Sequence, residues 1–403
     1  MKFLSDRDIL SSAVTPASLA ASTKNTLSVI ENVLLRADSD TGEIAVTGYD
    51  LEKGINVTIS GDGVTVRESG GILINALKLA SILKTLAPGE VKFTTNEKFD
   101  VKIVSGRSEY NLRGEAPDKF PALPTLKISA DSAAGQFQAR RYCLKNGEFK
   151  KLIEGTAFAI AQNSTTPALS GALFNVFGGN LRVVAVDRLR FAVKKYKPGE
   201  DKIAENDENS SFIVPGKALG DILRIIGDGD DDVILETSPR HMVVSAGNVT
   251  IFSRLIEGEF VDWKRMLSVT PKMTVEINRA EFLQCVERAS VMTDDKTKTL
   301  VRINFINDED GSRMEITSKS SMGEVADSCE ANVIGDAMGT VGFNHRHLLD
   351  TLRVIKEEKV LLILESPIKQ VIIRKLPEGD INAPLDIDAE EFIYLVLPVR
   401  LHD

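Results

Sequence analysis

The stretch Ile72–Leu86, ILINALKLASILKTL, is written three times in this chain, and the repetition restricts the possible folds more than any other feature. It joins an extended apolar run to an amphipathic helix pattern. Leu79, Ile82, Leu83 and Leu86 fall at i, i+3, i+4 and i+7, one stripe of a helix of period 3.6. Phe212–Ile226, FIVPGKALGDILRII, carries Leu219, Ile222, Leu223 and Ile226 in the same slots. Val341–Ile355, VGFNHRHLLDTLRVI, carries Leu348, Thr351, Leu352 and Ile355. The copies begin 140 and 129 residues apart, which is the spacing of domains and not of short solenoid repeats.

The surroundings of each copy repeat as well. In the first, a strand at Met1–Leu4 precedes Ser5, read as a helix N-cap, and a helical stripe that Pro16 bends or ends early. Asn32–Ala37 and Glu43–Tyr49 form a hairpin pattern, Leu51–Ser60 a third strand, and Val91–Thr95, Val101–Ser105 and Arg107–Arg113 follow the helix. Tyr142–Leu144 and Lys272–Ile277 open the second and third units in the same way, and Asn278 with Glu281 makes a capping-box pair. Each unit reads β-α-β-β-β-α-β-β-β. Strands that follow one another without intervening helices favour antiparallel sheets with helices on one face, an α+β fold. The units span 1–125, 126–270 and 271–403, with 126–140 linker-like. Glu378–Glu391 reads as an acidic loop before a last strand, Phe392–Leu401.

Composition narrows the function little. The 403 residues are 43% hydrophobic and 27% charged, with no apolar run long enough to span a bilayer. The start, MKFLSDRDIL, is charged where a signal peptide is apolar. Cys143, Cys285 and Cys329 are scattered, as expected for reduced thiols of a cytoplasmic protein. A net charge of −9 argues against a uniformly basic coat, but leaves room for a basic face on an acidic body.

Catalytic signals are lacking. Pro215-Gly216-Lys217 does not have phosphate-loop spacing, and His345 and His347 have no third metal ligand near them in sequence. Asp228–Asp232 lacks the alternating ligands of a calcium loop. No catalytic residue, metal or cofactor is therefore expected. One further coincidence concerns charge: Lys84, Arg224 and Arg353 share a slot directly after the paired apolar positions of the three helices. A cation near a helix C-terminus suits the helix dipole on its own. Three in one slot suggest a basic surface for a polyanion, although Asp221 and Asp350 on similar faces dilute it.

Near the C-terminus, Val396-Leu397-Pro398-Val399-Arg400-Leu401 resembles the terminal motif of the bacterial sliding clamps, the β subunits of DNA polymerase III. Further matches run in family order through the whole chain: Met1-Lys2-Phe3, Thr47–Glu52, Ser105–Ser108, Phe120-Pro121, Leu152–Glu154, Val186-Asp187 with Arg190, Glu257-Gly258 with Phe260 and Asp262, and Gly342-Phe343-Asn344. The resemblance implies three tandem clamp domains, antiparallel sheets outside and helices inside, in a homodimeric ring around duplex DNA. The implied activity is non-catalytic: a tether for the replicative DNA polymerase that also docks the clamp loader, repair polymerases and mismatch-repair proteins.

By the same resemblance, Tyr110, Val291 and Met292 sit at the subunit contact. A partner-peptide pocket takes Leu169, Arg190, Phe191, Arg265, Met266, Asn344, His347, Val396, Leu397, Pro398, Val399, Arg400 and Leu401. Lys24, Lys84, Lys217, Arg224 and Arg353 face DNA. The sequence departs from the family at Arg188 and Leu189, where Gly-His is common, at Val261, where Pro is common, and in ending with His402 and Asp403. The competing readings are a repeat adaptor that binds only proteins and a metal-dependent nuclease; the latter needs carboxylates converging on a cleft, which the sequence does not assemble.

Overall fold

The computed structural model describes residues 1–21, 28–124, 140–197, 209–293, 300–309, 311–336 and 338–401. Lys24, the linker-like Ser129–Gly135, His402 and Asp403 lie outside the described residues. In the first repeat β1 (Lys2–Asp6) leads into α1 (Arg7–Ser18), followed by β2 (Asn32–Asp38), β3 (Glu43–Tyr49), β4 (Lys53–Ile59), β5 (Val64–Glu68) and β6 (Gly70–Asn75). Then come α2 (Ala76–Thr85), β7 (Glu90–Thr95), β8 (Asp100–Ser105) and β9 (Ser108–Arg113). The second repeat has β10 (Arg140–Lys145), α3 (Asn146–Ala157), β11 (Gly171–Phe177), β12 (Asn180–Val186), β13 (Arg190–Tyr196) and β14 (Ser210–Pro215). It continues with α4 (Gly216–Ile225), β15 (Asp232–Thr237), β16 (His241–Ala246) and β17 (Val249–Arg254). The third has β18 (Met273–Asn278), α5 (Arg279–Ser290), β19 (Val301–Asp308), β20 (Gly311–Ser320), β21 (Gly323–Gly335) and β22 (Val341–Phe343). It closes with α6 (His345–Val354), β23 (Lys359–Leu364), β24 (Val371–Lys375) and β25 (Phe392–Val396).

The corner from strand to helix has a common chemistry. The Oδ1 atoms of Asn75, Asn278 and Asn344 each accept backbone N–H bonds at the start of α2, α5 and α6, satisfying donors that have no partner inside the helix. The helix stripes bury as their spacing requires: Leu79 and Leu83 on α2, Leu219 and Ile222 on α4, and Leu348, Thr351 and Leu352 on α6. The first helix departs from expectation in two ways. Its N-cap is Asp6, which accepts from the Asp8 N–H at 2.7 Å, and not Ser5. Pro16 does not end it early. The helix runs to Ser18, because Pro16 sits in the last turn, where the chain is already closing with i+3 bonds from Leu19 to Pro16 and Ala20 to Ala17.

Contacts divide the chain into two units, neither of which is a whole number of repeats. The first comprises residues 1–149 and 217–255; the second comprises most of 150–216 with 256–403. The sheets explain this, since they run across repeat boundaries. In the first unit an eight-stranded sheet has the order β10-β15-β16-β17-β4-β3-β2-β6, beside a five-stranded sheet β5-β1-β7-β8-β9. Its α1 packs on α2, β3 and β4. In the second unit a twelve-stranded sheet runs β14-β11-β12-β13-β25-β24-β23-β18-β21-β20-β19-β22, with α5 packed on α6, β20 and β21.

Two joints therefore carry the same topology. In the first unit β17 pairs with β4, placing Ser253 opposite Lys53, and the Arg254 N–H continues the ladder to the Glu52 carbonyl at 2.8 Å. In the second unit β25 pairs with β13, placing Val396 opposite Arg190, and the Leu397 N–H reaches the Leu189 carbonyl at 2.9 Å.

The strand expected over Phe392–Leu401 stops at Val396, where the chain turns off to make one isolated bridge, Val399 to Gly342. The acidic segment 378–391 is irregular, as expected, yet firmly strapped. Arg182, Lys195 and Arg374 are all buried and aim at it: Arg182 donates to Asp388 Oδ1 at 2.7 Å, Arg374 donates to Glu390 Oε1 at 2.7 Å and to the Ala383 carbonyl at 2.9 Å, and Lys195 reaches the Asp388 carbonyl. Burial pushes the Glu390 carboxyl up despite Arg374, while Arg182 holds Asp388 low.

Candidate functional site

The second joint gathers the expected pocket residues from four separate segments. β13 supplies Arg190 and Phe191, the turn before β11 supplies Leu169, the single-turn helix Trp263–Leu267 supplies Met266, and the end of β25 supplies Leu397. Leu169, Met266 and Leu397 are half-buried against a buried cluster that includes Phe191, Trp263, Leu267 and Leu395. The Phe191 and Trp263 rings stack 5.9 Å apart. Ile381, Leu385 and Ile387 of the acidic strap pack on the same cluster.

Past Val396 the terminal residues are laid across β22. The Val399 N–H donates to the Gly342 carbonyl at 2.8 Å. A Cβ at residue 342 would lie 2.6 Å from Leu401 Cδ2 and 3.0 Å from the Val399 carbonyl oxygen, so a larger residue here would displace the Leu401 side chain and crowd the Val399 carbonyl. Pro398 lacks an N–H and suits a point where the ladder is interrupted. Leu397, Pro398, Val399 and Leu401 are half-buried and Arg400 is exposed. Val396 and Phe191 are fully buried, so they form the floor beneath the surface and not the surface itself.

The polar edge of this cluster centres on Arg190. Its Nε and Nη2 face Asp187 Oδ2 at 2.9 Å, its Nη1 donates to Asp350 Oδ2 at 2.6 Å, and the Phe158 ring lies 5.8 Å from the guanidinium. His347 stands beside it. Burial, then the Arg190 charge, pushes the imidazole below its ordinary value, so it is neutral at neutral pH. Its Nδ1 is buried with no hydrogen-bond partner among the described residues. Asn344 is committed by its Oδ1 to capping α6 through Arg346 N–H. Arg265 projects into solvent, tied to Asp262 at 2.8 Å.

The other expected positions fall as follows. Lys84 is exposed on α2, and Lys217 and Arg224 are exposed on α4. Arg353 is exposed on α6, with its Nη2 3.0 Å from Glu287 Oε1 of α5. Asp221 and Asp350, expected to dilute the charge of these faces, are each paired with a cation of another repeat. Asp221 is buried against Lys53 of the first joint, with its other carboxylate oxygen 3.6 Å from Arg224, and Asp350 holds Arg190. Tyr110 is half-buried on β9, the edge strand of the five-stranded sheet. Val291 caps the end of α5 with 68% of its surface exposed, and Met322, in the β20–β21 turn, is 70% exposed. Lys53 and Trp263 were not singled out by sequence reasoning, and Asp187 and Asp350 entered it only as a family match and as a diluting charge. A signal for Lys53 and Asp187 was present, since Asp50 and Asp187 each precede a basic residue by three positions.

Among the described residues, no three His, Cys, Asp or Glu side chains are grouped to hold a metal, and no helix is long and apolar enough to cross a membrane. Asp228, Asp230, Asp231 and Asp232 are exposed around a turn.

Comparison with known proteins covers the chain almost end to end. Models described as the N-terminal, central and C-terminal domains of the DNA polymerase III beta subunit match residues 1–124, 143–262 and 264–385. The beta sliding clamp of Staphylococcus aureus is 28% identical over 408 residues, and that of Staphylococcus epidermidis 29%, with both sequences covered completely in each case. Among solved structures, a putative DNA polymerase III beta subunit from Eubacterium rectale is 29% identical with a TM-score of 0.84, covering 99% of each chain. The DNA polymerase sliding clamp from Bacillus subtilis is 26% identical with a TM-score of 0.86, covering 100% of each.

Proposed function

Because this chain belongs to the DNA polymerase III beta subunit family, the bacterial sliding clamps, we propose that two copies close head to tail into a ring on duplex DNA and tether the replicative polymerase. Sliding clamps are processivity factors and not enzymes. The groove at the second joint serves as the dock for apolar-ended peptides of the polymerase, the clamp loader and repair proteins. Its half-buried Leu169, Met266 and Leu397 take the apolar anchors, and Arg190 at the wall orients the peptide. Exposed Lys84, Lys217, Arg224 and Arg353, with Lys24, supply weak, screened phosphate contacts that permit sliding. The units of assembly are the three clamp domains 1–125, 126–270 and 271–403.

One observation carries the ring. The joint made twice within the chain has its two halves present a third time, unpaired. β9 follows α2 as β17 follows α4 and β25 follows α6, and among the described residues it pairs only with β8. Gly323–Glu330 of β21 follows a tight turn as β4 and β13 do, and among the described residues it pairs only with β20. Two strand edges of this kind in one chain ask for partners, and a second copy supplies both. Transferring the register of the internal joints sets Gly323 opposite Leu112 and Val325 opposite Tyr110. That brings the half-buried face of one strand against the half-buried face of the other, with an aromatic and a β-branched residue directly paired. Exposed Val291 and Met322 lie at the same end of the third repeat and would be covered.

A single experiment tests ring, register and tether. The Tyr110→Cys, Val325→Cys double variant is loaded by clamp loader and ATP onto nicked circular DNA and then joined with a short thiol crosslinker. We expect covalent dimers that stay on the circle through a high-salt wash and leave when it is linearised. Equal retention on linear DNA sinks the ring. Efficient crosslinking of Tyr110→Cys with Ala326→Cys instead shifts the register by one.

A further inference from the structure

Asp221 and Asp350 stand tenth in the second and third copies of the repeated stretch. Lys53 and Arg190 each stand third after the aspartate that opens a turn: Asp50 accepts the Glu52 and Lys53 N–H groups, and Asp187 accepts those of Leu189 and Arg190. The ion pairs Lys53–Asp221 and Arg190–Asp350 are thus one device used at both joints.

The two uses differ in what surrounds them. At the first joint the Lys53 ammonium also donates to the Leu19 carbonyl at 2.9 Å, and the pair is nearly closed off, with side chains 13% and 9% exposed. No residue of the candidate groove belongs to that unit. At the second joint the Asp350 carboxylate is 39% exposed, and the guanidinium it holds forms the wall of the groove. Asp187 fixes only the Nε and Nη2 side of Arg190. Asp350 fixes Nη1, and with Phe158 beneath, the planar head is left a single orientation.

We propose that Asp350 is a positioning residue for partner-peptide binding: it presets Arg190, so that an incoming peptide meets an ordered donor and does not bear the entropy of ordering it. The inference rests on the groove reading above and adds to it a residue that need not touch the peptide. In the first copy the equivalent slot is Ser81, and Gly323 takes the basic position in the third repeat, so the device is absent where a second copy would join.

The test measures binding of a labelled peptide, taken from the C-terminus of the cell's own replicative polymerase, to the full-length protein. Asp350→Ala should weaken binding by about tenfold and Asp350→Asn by about threefold, since the amide keeps an acceptor but loses the charge. Asp221→Ala, which breaks the equivalent pair at the other joint, should leave affinity unchanged. On an Arg190→Ala background, Asp350→Ala should add nothing, because the two act as one unit. Affinity unaffected by Asp350→Ala overturns the proposal, as does an equal loss on the Arg190→Ala background or in Asp221→Ala. If the unsubstituted protein does not bind the peptide, the groove reading falls and the proposal with it; if it binds and Asp350→Ala binds equally, the proposal alone falls.

Discussion

The first and second joints share a backbone plan and differ in what fills it. Each has an aspartate-opened turn, a basic residue paired to an acid of the next repeat, and a terminal strand that continues the ladder by one further N–H bond. At the first joint, however, Gly54 stands where the second has Phe191, and Arg254 stands where the second has Leu397. A Cβ on Gly54 would lie 2.2 Å from Leu123 Cδ2 and 3.3 Å from the Tyr49 ring, so the chain's own Leu123 already occupies the space. The small cluster there is formed by Leu34, Tyr49, Leu73, Phe120 and Phe252, with half-buried Val29, Leu123 and Val243 packed against it. The second cluster is larger, and half-buried Leu169, Met266 and Leu397 remain at its margin. The same scaffold thus holds Leu123 against Gly54 in one place and Phe191 at the equivalent position in the other, and the proposed peptide dock rests on the second, so a dock cannot be assigned from topology alone.

The strongest way to break this comparison is to copy the second joint into the first. Gly54→Phe should force Leu123 and Tyr49 aside and cost about 3 kcal/mol, read as a large fall in the midpoint of thermal unfolding. Peptide affinity should not change. A Gly54→Phe protein of undiminished stability would mean that the first joint has room to spare and that its closure is no real difference.

The ion pairs sharpen it at smaller magnitude. Asp221→Ala strands a buried lysine that keeps only the Leu19 carbonyl, for a loss of about 2 kcal/mol. Asp350→Ala leaves Arg190 with Asp187 and partial solvent, for a loss of about 1 kcal/mol or less. Stability should therefore respond more to Asp221 and affinity only to Asp350. Equal stability losses in chemical denaturation would show the two pairs to be equivalent supports.

Legibility follows the same physics. The helices and the apolar strands can be read in the sequence because a buried stripe or a run such as β23 needs a period that nothing else in the chain imitates. Two strands escape. β21, GEVADSCEANVIG, is polar and largely exposed along its first half, and β5 is a short exposed edge; neither offers an apolar run. Asp221 and Asp350 are visible as a shared slot, but their partners lie 168 and 160 residues earlier, in turns, and only folding shows these pairings. The proposed dock is least legible, because its apolar residues come from four distant segments. Its terminal motif speaks only through family resemblance, and its Arg190 wall is visible only once Asp187 and Asp350 have converged on it.

The smallest effect concerns protons. His241 at the first joint and His347 at the second are both pushed below the ordinary 6.5, in each case by burial first and then by arginine: Arg254 and Arg240 for His241, Arg190 for His347. Above pH 6.5 folded and unfolded chains are both neutral at these rings, and the folded state keeps its full stability. As pH falls below 6.5 the unfolded chain takes up the proton first, so stability declines until the folded imidazole also titrates. Each histidine should contribute about 1 kcal/mol or less between pH 7.5 and 5.5, and His241→Gln or His347→Gln should each flatten part of that slope. Peptide binding separates them. A proton on His347 adds positive charge beside Arg190 and opposes the order that Asp187 and Asp350 impose, so affinity should fall with pH in the unsubstituted protein and in His241→Gln, but not in His347→Gln. Matching affinity profiles in the two variants would place the pH response outside the groove and erase the functional difference between the joints.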